Sequence, residues 1–209
     1  MIHSSNEQKR LSQSLEHNLK MIKRELGNAG DLIIRHSSIG RVENKFAMVY
    51  IKGLVDEAQV NNNILRVLEL NKKPIESNLF ENIYEEMVAV TEIKKTQDFD
   101  QVIKTILSGD TALFLDEVDQ AILLGTSGGA HRAIEEPESE SVVRGSRSGF
   151  VENFKLNVAL LRRQIKDPNL RIDMMDVGSH SNQKIAICYV EGQVKPEILD
   201  EVVRRLKTI

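Results

Sequence analysis

The chain of 209 residues carries 28 Lys and Arg against 31 Asp and Glu, a formal charge of −3, with 4% aromatic residues and no tryptophan. Balanced charge and few stacking rings argue against a nucleic-acid partner, and no apolar run approaches the roughly 18–20 residues that span a bilayer. The polar stretch from Met1 to Lys20 has no apolar secretory segment, so the chain reads as soluble as written and long enough for one large or two small domains.

Leu11, Leu15, Leu19, Ile22 and Leu26 mark one face of a first helix that ends near Gly27 and Gly30. Residues 31–37 and 45–52 alternate as two strands around a polar turn. Residues 56–70 predict a second helix, with Val60, Ile64, Leu65 and Leu68 on its apolar face. Polar Asn71-Lys72-Lys73-Pro74 is the candidate linker. Residues 78–95 and 98–107 read as further helices, the latter from Asp98 to Ser108-Gly109, and 111–116 with 120–126 as another hairpin.

Gly125-Thr126-Ser127-Gly128-Gly129 formally matches the serine-hydrolase elbow, which needs a helix directly after the serine and an acid-then-histidine order downstream. The next residues are instead Ala130-His131-Arg132-Ala133-Ile134 and an acidic, proline-containing segment, and His180 lies in a later turn. A flexible glycine turn leaving a hairpin is the favoured reading, and an enzyme is not expected. No phosphate-binding glycine motif is complete. His3, His17, His36, His131 and His180 have no paired metal-ligand spacing, so neither metal nor cofactor is expected. The acids Glu135, Glu136, Glu138 and Glu140 lack the spacing of a calcium loop and read as a solvated loop.

From Gly149 onward the pattern turns helical. Phe150, Phe154, Val158, Leu161 and Ile165 predict one buried face, with Glu152 in the first turn and Arg162, Arg163 and Lys166 in the last. Asn153 and Asn157 sit one turn apart. The single cysteine, Cys188, lies in the apolar run Ile185–Val190, which predicts a small buried side chain in a strand rather than a reactive thiol.

An internal repeat links the two ends of the chain. Lys45, Ala47, Tyr50, Gly53 and Val55 match Lys184, Ala186, Tyr189, Gly192 and Val194; Leu32 and Ile34 match Leu170 and Ile172; Asn18 to Leu26 resembles Asn157 to Ile165. Each copy reads helix, strand, strand, helix, with the strands as an antiparallel hairpin. The expected fold is therefore α/β (α+β): two subdomains, 1–73 and 74–209, each with a small hairpin-containing sheet flanked by helices, and a cleft between them.

One block is more specific than any short motif: Glu136-Pro137, Glu140, Val143-Arg144-Gly145, Arg147, Gly149-Phe150, Glu152-Asn153, Asn157, Leu161-Arg162-Arg163, Ile165 and Leu170. It resembles the signature of the GerA family, the A subunits of spore germinant receptors, with Ser146 and Gln164 where that family usually has proline and arginine. Arg144 and Arg147, beside four carboxylates, could lock their loop through bidentate pairs or hold an anionic partner or neighbouring subunit.

The resemblance implies the cytosolic N-terminal region of a receptor in the spore inner membrane, facing the spore core. Its membrane portion would be C-terminal to this chain, its partners other receptor subunits, with self-association in the full receptor. It would take part in nutrient-triggered germination without catalysis. The alternative is a module that binds a small nutrient directly in the cleft between the subdomains.

Overall fold

The computed structural model describes residues 9–39, 44–71, 79–128, 149–178 and 182–208. Helix α1 (Leu15–Leu26) is capped by Ser14, whose side chain accepts from the His17 N–H. It presents Leu15, Leu19, Ile22 and Leu26 inward. Strands β1 (Leu32–Ile39) and β2 (Asn44–Ile51) pair antiparallel as expected.

The second expected helix is built from α2 (Glu57–Gln59), a π-helical stretch Val60–Leu65 and α3 (Arg66–Leu70). The expected helix over 78–95 ends early: α4 (Leu79–Asn82) runs into a π-helical Ile83–Met87, and Ile93–Thr96 is strand β3 instead. That strand pairs with β5, closing the sheet edge with backbone bonds that a longer helix would forgo. Helix α5 (Phe99–Ser108), capped by Asp98 and ended by left-handed Gly109, and the hairpin β4 (Thr111–Leu115) with β5 (Ala121–Leu124) match the sequence expectation.

These five strands form one antiparallel sheet in the order β1-β2-β4-β5-β3. Alternation sends its side chains to two faces. One packs Ala47, Val49, Ala112, Phe114 and Leu123 against α1 and α5. The other packs Phe46, Met48, Leu113, Ile122 and Leu124 against Ile64, Leu68, Phe80 and Ile83. The result is helix, sheet, helix, with β4 and β5 buried throughout. Strands from both sides of residue 73 share this sheet, and a division at that point would separate hydrogen-bonded β2 from β4. A partition that keeps each sheet whole falls between β5 and the next helix.

That helix, α6 (Phe154–Gln164), leads to the hairpin β6 (Leu170–Val177) and β7 (Gln183–Val190) and to α7 (Pro196–Leu206). The duplication is written into individual hydrogen bonds. Asn18 accepts from the Ser12 N–H at 2.8 Å and donates to the Ser12 carbonyl at 2.6 Å; Asn157 does the same to Val151 at 2.8 and 2.7 Å. The bond from Lys52 N–H to Asp31 O (2.8 Å) recurs as Glu191 N–H to Asn169 O (2.9 Å). Gly53 and Gly192 leave their hairpins at φ +86° and +80°, a left-handed backbone that glycine adopts at least cost.

Candidate functional site at the junction of the two sheets

The described part of the family-like block converges on the contact between α6 and the first sheet. Its entry segment is held by the Asn157 clamp on Val151, and Asn153 is the N-cap, accepting from the Lys155 N–H at 3.1 Å. Helix α6 therefore starts at Phe154, four residues later than the apolar spacing predicts. Glu152 precedes the helix instead of occupying its first turn, and Phe150 is 67% exposed instead of packed on the stripe. Ile165 also falls outside the buried set, while Val158, Ala159 and Arg162 form it. Gly149 lies at the start of this described segment. Glu136, Pro137, Glu140, Arg144, Gly145 and Arg147, with His131 and His180, lie outside the described residues.

Arg162 is the centre of the junction. Its side chain and that of Asp31 are each 2% exposed. The guanidinium donates Nε to Asp31 Oδ2 at 2.8 Å and Nη2 to Oδ1 at 3.1 Å, the two-point geometry that only arginine offers a carboxylate. Nη1 donates to the Leu170 carbonyl at 2.9 Å. One side chain thus ties the loop before β1, 131 residues away, to α6 and to the start of β6. Among the described residues no buried side-chain N or O lacks a partner, so this charge pair is dehydrated yet fully bonded.

Around the ion pair the backbones approach closely. The Gly30 N–H donates to Ile172 O at 3.0 Å, so the loop before β1 bonds to the outer edge of β6. A Cβ on Gly30 would stand 2.8 Å from Met174 Cγ, so a side chain there would force the exposed Met174 side chain to shift. Arg163 donates to the Gly53 carbonyl at 3.2 Å, and Ala159 packs over Gly53. An open cavity of about 250 Å³ lies alongside, lined by Leu54, Leu107, Ser108, Ser127 and Gly128 on one side and by Arg163 and Lys166 of α6 on the other.

Asp31 has no signal of its own in the sequence, because an acid before a strand is unremarked by any local pattern. The detectable sign is on its partner. Arg162 stands four residues after Val158, in phase with the buried face, where a charge demands a counter-charge.

Other candidate chemistry is not assembled. Ser127 sits in an extended bridge opposite Val55, its N–H donated to Asp110 at 3.0 Å. Among the described residues no group of three His, Cys, Asp or Glu could hold a metal ion. Cys188 is exposed, in contrast to the buried position expected of it. It does lie in an apolar strand as expected, but β7 has a neighbour on one side only among the described residues. Desolvation pushes its thiol above the usual range, with Asp31 adding to the effect and Arg162 opposing it.

Comparison with known proteins places this architecture. Residues 20–209 match the family model described as Bacillus/Clostridium GerA spore germination protein. The chain belongs to the GerA family. It is 32% identical over 95% of its length to spore germination protein KA of Bacillus subtilis, covering 37% of that protein. It is 30% identical over 91% of its length to spore germination protein GerLA of Bacillus cereus, covering 39% of it. The chain thus spans less than half of the length of these relatives. In fold it is similar to the crystal structure of the N-terminal domain of the A subunit of the Bacillus megaterium spore germinant receptor GerK3, at 23% identity and a TM-score of 0.70 over 96% of this chain and 74% of that one. The GerA-family chain is thus like that domain in its mixed α/β architecture. Among its described residues no helix is long and apolar enough to cross a membrane. Its family membership supports a role in spore germination.

Proposed function

We propose that this GerA-family chain is the N-terminal, core-facing region of a germinant receptor A subunit. In that reading it acts as a coupling module between the receptor's membrane part and its other subunits in the spore inner membrane. The observation that carries the reading is the junction itself. The family-like block supplies both the cap and the clamp of α6 and the Arg162–Asp31 pair that fixes the second sheet against the first. A region built to hold two units in one orientation is suited to pass on a displacement, because packed elements change between discrete arrangements.

The block then divides by task. Asn153, Asn157, Arg162 and Arg163 make bonds within the chain. Glu136, Glu140, Arg144, Arg147 and Glu152 are left as the contact surface for other subunits. Spores carrying Arg144→Glu in the full-length protein are expected to germinate in nutrient several-fold more slowly, with the protein present at its normal level. Germination at the wild-type rate would remove Arg144 from the coupling surface; loss of the protein from the membrane would assign it to folding.

The cavity beside Arg163 and Lys166 favours a second reading, direct binding of a small nutrient between the two sheets. Two cations and two serine hydroxyls at its rim suit a carboxylate. Its volume of about 250 Å³ is at the small end for ligand pockets, which fits an amino acid better than a sugar. A ligand at one hundred times its Kd would stabilise the chain by about 2.7 kcal/mol. An amino-acid panel that leaves the melting temperature unmoved at millimolar concentration removes this reading and leaves the first intact.

A further inference from the structure

The helix that closes each copy of the repeat allows a comparison within the chain. From Val55 to Val60, and from Val194 to Leu199, the copies keep step, with four residues inside each interval. Farther on, Ile64-Leu65-Arg66 and Leu68 correspond to Val202-Val203-Arg204 and Leu206. Between these blocks the first copy has three residues, Asn61-Asn62-Asn63, where the second has two, Asp200 and Glu201. The first copy therefore carries one extra residue. Its helix takes that residue up in the π-helical stretch Val60–Leu65, whereas α7 is α-helical from Pro196 to Leu206. π geometry is rare and occurs mostly as a single turn inside an α-helix, which fits a one-residue insertion.

The insertion gives this helix two usable faces. With the π turn in place, Val60, Ile64, Leu65 and Leu68 are buried, while Val67 is 36% exposed. An unbroken α-helix advances about 100° per residue. Starting from the same Val60, it would bring Ile64, Val67 and Leu68 to the sheet and turn Leu65 to the edge. The two registers thus differ by the exchange of Leu65 for Val67. The two ends of the helix are also held differently. At the start, the Asp56 N–H donates to the Thr126 carbonyl at 2.8 Å, and the Asp56 carboxylate caps Ala58 and Gln59. The Asn61 amide donates to the Glu57 carbonyl at 2.7 Å and accepts from Arg35 of β1 at 3.1 Å. Beyond the π turn the ties include an exposed bond from the Ser37 hydroxyl to Glu69 at 2.6 Å and a long one from Asn71 to the Met87 sulfur at 3.7 Å.

We propose that residues 57–70 form a two-register element. The extra residue passes from the π turn to the C-terminal end of the helix, α3 turns by about 100°, and Val67 takes the place of Leu65 against the sheet. The start of the helix stays pinned, close to Gly53 whose carbonyl holds Arg163 of α6. The moving end changes its contacts with Ser37 and Met87. The element works within this chain and does not depend on the coupling role proposed above.

NMR relaxation dispersion on amides and methyl groups of the protein reads such a motion, because helix register shifts fall on the microsecond-to-millisecond scale. One exchange process shared by Ile64 to Leu70 is expected, with α1 and α5 flat and a minor population of roughly 0.1–10%. Deleting Asn62 returns Val60, Ile64, Leu65 and Leu68 to the spacing i, i+3, i+4 and i+7 of an unbroken α-helix, and should abolish the exchange. Val67→Asp puts a carboxylate at a position that only the unbroken register buries. It should lower the minor population at least about tenfold and leave the major state folded. Should the deletion variant not fold, Val67→Asp alone decides. Flat dispersion from Ile64 to Leu70 overturns the proposal. Exchange that keeps its original population in either variant overturns it too, since fraying of the helix end would then account for the motion.

Discussion

Arg162→Ala is expected to destabilise the chain by about 3–5 kcal/mol, a large share of the roughly 5–15 kcal/mol available to a domain. The cost does not come from one lost attraction. Removing the guanidinium leaves Asp31, 1% exposed, as a dehydrated carboxylate without its two-point partner, and also strips the Leu170 carbonyl of a donor. Asp31→Ala should cost a similar amount for the mirrored reason. The double variant Arg162→Met with Asp31→Leu should recover most of the loss, since a buried pair replaced by apolar groups of like size is close to neutral. Urea unfolding of the unsubstituted chain, Arg162→Met, Asp31→Leu and their combination forms a double-mutant cycle that isolates the pair. Single variants that each cost less than about 1 kcal/mol would mean that water reaches the pair, and the junction would lose its central bond.

The same variants separate structure from coupling. If Arg162 fixes the orientation of the two sheets, the rescued double variant has a stable fold and a junction without directional bonds. Apolar contacts tolerate sliding that a bidentate pair does not. Amide protection in α6 and β6 of that variant should fall relative to β4 and β5, whose ladder lies wholly within the first sheet.

How much of the fold is legible in the sequence depends on where the information sits. Hairpins and capped helices are local, and Ser14, Asp98 and Gly109 stand where helix ends are expected. The repeat is legible because Lys45, Ala47, Tyr50 and Gly53 recur in order, and Gly53 and Gly192 indeed share a left-handed backbone. The union of β2 with β4 is not legible, since strand order depends on long-range pairing that no local pattern encodes. Ile93–Thr96 reads as helix by sequence because its lysines allow either state; pairing to β5 decides it. Phe150 falls on a buried stripe by spacing alone, whereas Asn153, a strong cap, stops the helix short of it. The Arg162–Asp31 contact joins residues 131 apart, and only the polar residue on an apolar phase hints at it.

Met48→Ala and Ile187→Ala alter equivalent positions of the two copies and should differ sharply. Met48 is fully buried, flanked by Arg35 and Leu113 on its neighbouring strands and packed in the core of the second face. Truncating it removes buried methylenes and leaves a cavity that the five-stranded sheet cannot close, a loss of about 2–5 kcal/mol. Ile187 has Asp173 opposite it on β6 and no strand on its other side among the described residues. Because it is only half-buried, its truncation in this chain should cost about 1 kcal/mol or less. Chemical denaturation of the two variants measures the gap directly. Equal losses would mean that the second hairpin is already as well covered as the first, and the difference in burial would have no energetic content.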